Sequence, residues 1–196
     1  GDFFCERPFL QRQTMPKNVR CSPNEIPVKS FFLGPSAENA KWLEGALGEI
    51  FRSWYAWRRQ INSKDGRVIS TEDQALPEFI SQQKHTQEVI EYLLKRFEGE
   101  IPKFSPRYIG HMFSEISMPA LLGHFITLLH NPNNISSEAS RVGCEIELEA
   151  INYLNQIVGY REGVGHFTSG GTVANFEFLF RARERLATWL ATGIAS

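Results

Sequence analysis

After Lys103 this 196-residue chain contains no lysine, and after Asp73 no aspartate. All seven lysines and all three aspartates (Asp2, Asp65 and Asp73) lie within the first 103 residues; beyond them the cations are arginine and histidine and the acids glutamate. Chemistry that needs a lysine or an aspartate is therefore excluded from the second half. Cysteine is scarce as well. Cys5, Cys21 and Cys144 are odd in number and scattered, which argues against a disulfide framework and lacks the close spacing of a zinc site. The net charge of −1 gives no bulk field to attract nucleic acid or an anionic membrane. No apolar run is long enough to span a bilayer, and the opening GDFFCERPFL lacks the basic-then-apolar order of a signal peptide. What is present, 42% hydrophobic and 22% charged residues, suits an ordinary globular domain with a core. The expectation is a reduced, cytoplasmic protein.

Residues 1–35, rich in Pro, Asn, Ser and Arg, read as an extended arm. Pro35-Ser36 opens a predicted helix with Ser36 as N-cap. Trp42, Leu43, Ala46, Leu47, Ile50, Phe51, Trp54 and Tyr55 follow the 3, 4, 7 spacing of one broad apolar face. Its tryptophans suit either core packing or a subunit interface. Asn62–Gly66 is a turn, a short helical piece follows Pro77, and a clearer helix starts at Thr86 and stops at Gly99 and Pro102. The chain then runs extended around Pro106 and turns helical near Pro119. Ser137 is the predicted cap of a long helix towards Val158, with Gly159 where a positive φ belongs.

The stretch Gly165–Thr168 reads as a short extended segment, followed by the loop Ser169-Gly170-Gly171 and a helix beginning at Thr172. Free amides at such a helix start favour a phosphate, the glycines allow close approach, and Thr172 adds a hydroxyl. A glycine pair before a helix is also an ordinary turn. Rival motifs fail on their letters. Gly171 stands where a P-loop needs lysine, no GxGxxG opens the helix, and Phe167 replaces the first glycine of a GxSxG elbow.

The run HFTSGGTVANFEFLFRARER resembles the phosphate loop and following helix of the pyridoxal-phosphate-dependent decarboxylases related to glutamate and aromatic-amino-acid decarboxylases (group II). Upstream, SPRYIGHMFSEISMPALLGHFITLLHNPNN and EASRVGCEIELEAINYLNQIVGY are similar to that family's segments in the same order, so the resemblance covers roughly residues 100–188. Val173 departs from a frequent Glu and Arg141 from a frequent Pro. Residues 1–99 match in character only.

The resemblance implies an α/β PLP-dependent transferase-like fold with only its N-terminal part present, this part being mostly α-helical. Residues 1–103 would form an N-terminal arm and helical dimerisation layer, and 104–196 the incomplete start of the PLP-binding large domain. It implies pyridoxal 5'-phosphate held by Gly170, Gly171 and Thr172, with Ser114 near cofactor or substrate. His111 and Met112 would lie against the side chain of an amino-acid substrate. His124 and His130 are read as packing or surface residues. The family's Schiff-base lysine and pyridine-nitrogen aspartate lie downstream of the phosphate loop, and no lysine or aspartate is there in this chain. The expectation is thus a fragment, inactive alone, either truncated or proteolysed or completed by a second polypeptide, with the missing remainder of the chain or a homodimer as its partner. A non-catalytic helical interaction module and another PLP-dependent lyase remain the alternatives.

Overall fold

A computed structural model describes residues 27–161 and 163–193; most of the expected N-terminal arm lies outside them. The described residues form a short 3-10 helix, Val28–Phe31, and six α-helices: α1 Ala40–Ile61, α2 Thr71–Ala75, α3 Pro77–Phe97, α4 Met118–His130, α5 Arg141–Val158 and α6 Gly171–Thr192. No β-strand occurs among them. The chain divides into two compact units between Leu129 and His130, at the end of α4.

In the first unit, α1 starts later than its sequence signal. Pro35-Ser36 forms a turn in which the Ser36 N–H donates to the Glu38 carboxylate at 3.1 Å. Asn39 takes the N-cap position and donates its side-chain amide to the Phe32 carbonyl at 2.6 Å. Leu43, Ala46, Leu47, Ile50, Phe51 and Trp54 form a half-buried stripe, as their 3, 4, 7 spacing requires. Arg58 lies over the Trp54 ring, 4.8 Å from its centroid.

The separate pieces expected after Pro77 and from Thr86 are one helix. Proline suits a first helical position, where its missing N–H costs nothing, so Pro77 initiates α3 instead of interrupting it. Helix α2, packed on α3, has a complete capping box. Asp73 N–H donates to Ser70 Oγ at 3.0 Å, and Ser70 N–H to Asp73 Oδ2 at 2.8 Å.

In the second unit, α5 is capped by Ser140, not Ser137. Ser140 Oγ accepts the Gly143 N–H at 3.2 Å, the N-cap to N3 bond that defines the start. A Cβ at Gly143 would overlap both Asn134 Oδ1 and Ser140 Oγ, so any larger residue here would displace those side chains. Gly159 ends α5 with φ 83°, in the left-handed conformation expected of it.

Among the described residues the buried hydrophobic side chains are Met118 and Ile151. Helix α6 is apolar on most sides, yet Phe176 and Phe178 are 71% and 69% exposed. A helix of that composition is built to be covered. No helix among the described residues is long and apolar enough to cross a membrane.

Candidate cofactor-binding site

The segment entering the loop, residues 163–168, belongs to no helix or sheet. Its groups are held by side chains instead. Glu147 of α5 accepts the Phe167 N–H through Oε1 at 2.8 Å and the Asn134 side-chain amide through Oε2 at 3.2 Å. Asn155 donates to the Gly163 carbonyl at 2.8 Å. His166 Nε2 lies 2.7 Å from Glu177 Oε2, tying the same segment to the second turn of α6.

The loop then turns through Gly170, whose φ of 157° and ψ of 172° are open to little but glycine. Thr168 Oγ1 donates to the Gly170 carbonyl at 3.1 Å, and the Ala174 N–H donates to the same oxygen at 3.1 Å as the first helical bond. Helix α6 thus begins at Gly171, one residue before its sequence signal.

Three features of this helix start suit a phosphate group. No side chain caps it, and no acid lies in its first turn to repel an anion. Among the described residues, a Cβ added at Gly170 or Gly171 would meet nothing within 4 Å, so they leave the approach open. Backbone amides and the helix dipole supply the attraction.

Gly170, Gly171 and Thr172 therefore sit together in the second unit. His111, Met112 and Ser114 lie in the first, on the irregular stretch before α4. Met112 has φ 60°, unusual for a residue with a side chain, and is 84% exposed. Lys103 Nζ lies 4.7 Å from the Phe113 ring centroid. The roles of Glu147 and Asn155 were missed by sequence reasoning, because acids and amides on an amphipathic helix usually face water. The available signal was spacing. Glu147, Ile151 and Asn155 recur every four residues along the helix, and their partners at positions 163, 165 and 167 recur every two along the segment that follows.

No family model matches the chain. Among curated proteins, it is 34% identical over 164 residues to an L-tyrosine decarboxylase of Levilactobacillus brevis, a match covering 83% of this chain and 26% of that protein. An L-tyrosine decarboxylase of Enterococcus faecium is 32% identical over 81% of this chain and 26% of its own length. An L-2,4-diaminobutyrate decarboxylase of Acinetobacter baumannii is 26% identical over 72% of this chain and 28% of its own length. The chain thus spans about a quarter of the length of the curated relatives it matches.

Proposed function

We propose that this chain, homologous over most of its length to group II pyridoxal-phosphate-dependent amino-acid decarboxylases, is the segment of such an enzyme that anchors the cofactor's phosphate. The observation that carries the proposal is the uncapped, acid-free start of α6 behind Gly170. In this reading Gly170 turns the chain, the Gly171 and Thr172 amides donate to phosphate oxygens, and the Thr172 hydroxyl adds a third donor. When bound, pyridoxal phosphate supplies a ring that accepts the electron pair released with carbon dioxide. The protein's task at this loop is affinity and orientation.

Ser114 is proposed to face the cofactor or substrate, and His111 and Met112 the side chain of an amino acid. Part of the set of residues that would recognise that side chain comes from outside residues 1–196. The groups that hold the cofactor covalently and pair with its ring nitrogen come from outside residues 1–196, since no lysine or aspartate follows Lys103. The whole enzyme would have the α/β fold of the family, with 1–103 as arm and helical dimerisation layer and 104–196 as the start of the large domain. A homodimer, or the rest of the polypeptide, would cover the α1 stripe. A cytoplasmic location accords with the sparse cysteines.

The test is cofactor titration of the whole enzyme. Thr172→Ala should cost about 1.5–3 kcal/mol of affinity, the usual worth of a hydrogen bond to a charged group. Gly171→Val should cost more, and its Cβ would meet no other described residue within 4 Å, so a matching thermal melt separates loss of the ligand from loss of the fold. Unchanged affinity in both variants would remove the anchor. Residues 1–196 alone should bind the cofactor weakly and release no carbon dioxide from any amino acid.

A further inference from the structure

The segment entering the loop runs back along α5 in a regular way. Asn155 meets the Gly163 carbonyl, and Glu147 meets the Phe167 N–H. Between them, a Cβ at Gly165 would lie 3.6 Å from Ile151 Cγ2, so that glycine rests against the buried Ile151 side chain. Every second residue of the extended segment therefore faces every fourth residue of the helix. Four helical residues rise about 6.0 Å, and two extended residues span about 6.6 Å, so the two repeats nearly coincide.

We propose that Glu147, Ile151 and Asn155 are positioning residues that set the register of residues 163–167, and through it the place of the phosphate loop. This rests on the phosphate-anchor reading above. The physical ground is periodicity. Slipping the segment by one residue turns each side chain and each amide to the opposite face. Phe167 would then lose its carboxylate acceptor, and the Gly163 carbonyl its amide donor. The register is also guarded sterically, since a Cβ at Gly163 would lie 2.5 Å from Asn155 Oδ1. Glu147 holds the register against a second fixed point, because its other oxygen is bound to Asn134 in the turn that follows α4. Only two residues separate Phe167 from Gly170, so a shift at the ladder is passed on to the loop.

The experiment compares pyridoxal phosphate with pyridoxal, which lacks the phosphate, by titration of the whole enzyme carrying Glu147→Ala, Glu147→Gln, Asn155→Ala or Thr172→Ala. Hydrogen exchange at the Phe167 amide is followed in parallel. Glu147→Ala and Asn155→Ala should each weaken pyridoxal phosphate on the order of tenfold while changing pyridoxal little. Glu147→Gln keeps one acceptor oxygen and should recover much of the loss. Phe167 exchange should accelerate in Glu147→Ala and stay slow in Glu147→Gln. Equal weakening of both ligands in the ladder variants, alongside phosphate-selective weakening in Thr172→Ala, would overturn the positioning role and leave the anchor standing. Equal weakening of both ligands in Thr172→Ala itself would overturn the anchor, and with it the link from ladder to phosphate. Unaltered Phe167 exchange in Glu147→Ala would overturn the ladder whatever the ligands do.

Discussion

Replacing Gly143 by alanine sets two effects of opposite sign against each other. Alanine is the better helix former, by about 0.5–1 kcal/mol in a helix interior and less near an end. At Gly143 the new methyl group would overlap Ser140 Oγ and Asn134 Oδ1, so both side chains must move. Displacing Ser140 removes the α5 N-cap, worth about 1 kcal/mol. Displacing Asn134 frees its bond to Glu147, worth about 0.5–1.5 kcal/mol. The losses exceed the gain, and Gly143→Ala should destabilise by about 1 kcal/mol. Gly45 in α1 is the control, because a Cβ there meets nothing within 4 Å; Gly45→Ala should stabilise by about 0.5–1 kcal/mol. Denaturant unfolding of the whole protein, with exchange of the first α5 amides as a local measure, reads the difference. If Gly143→Ala proves as stabilising as Gly45→Ala, Ser140 and Asn134 do not hold the positions described.

Gly170→Ala should cost about 1–3 kcal/mol because its backbone lies in a region reserved for glycine, whereas Gly171→Ala should leave stability nearly unchanged; thermal melts of the pair check this. The Ser70 backbone N–H, followed by the Ser70 side chain, holds the Asp73 carboxyl below the usual aspartate range. The capping box of α2 should therefore contribute fully above that range and be lost as pH falls through the lowered value. An NMR titration of Asp73 should show the depression, and Ser70→Ala should diminish it. On the α1 stripe, the Trp54 indole N–H is buried without a hydrogen-bond partner among the described residues. If the proposed subunit or remainder covers this stripe, tryptophan emission should be quenched by acrylamide less in the whole enzyme than in residues 1–196; equal quenching would count against that cover.

Most helices were legible from periodicity. The Trp42–Tyr55 spacing marked α1, the Val142–Ile157 spacing marked α5, and glycine chemistry placed Gly159 and the start of α6. Helix starts were less legible because several residues near each one can act as a cap. Ser36 and Asn39 compete at α1, and three serines precede α5. At α5 both Ser136 and Ser140 accept the amide three residues on, but only the Ser140 bond leads into the helix, and at α1 Asn39 takes the position with no side-chain cap bond at all. The length of α3 was hidden by its polar middle, Ser81 to His85, which breaks the apolar pattern without breaking the helix. Gly170, Gly171 and Thr172 were legible as a possible anion site from loop chemistry alone. His111, Met112 and Ser114 carried no physical signal and came from resemblance. The Glu147 brace spans twenty residues to Phe167, so its two spacings, four on the helix and two on the segment, become a signal only once the two stretches are paired.

The lacing of an extended segment onto a helix behaves like a vernier whose two scales almost agree. Each rung advances about 6.0 Å on α5 and about 6.6 Å on the segment. An error of about 0.6 Å therefore accumulates per rung, while the helical scale also swings about 40° around its axis at every fourth residue. Three rungs absorb this within ordinary hydrogen-bond tolerance; a fourth and fifth would not. The lace ends at Phe167, and the chain turns away at Ser169-Gly170. The mismatch of two repeats thus favours short lacings of this kind, and here the run is three rungs long.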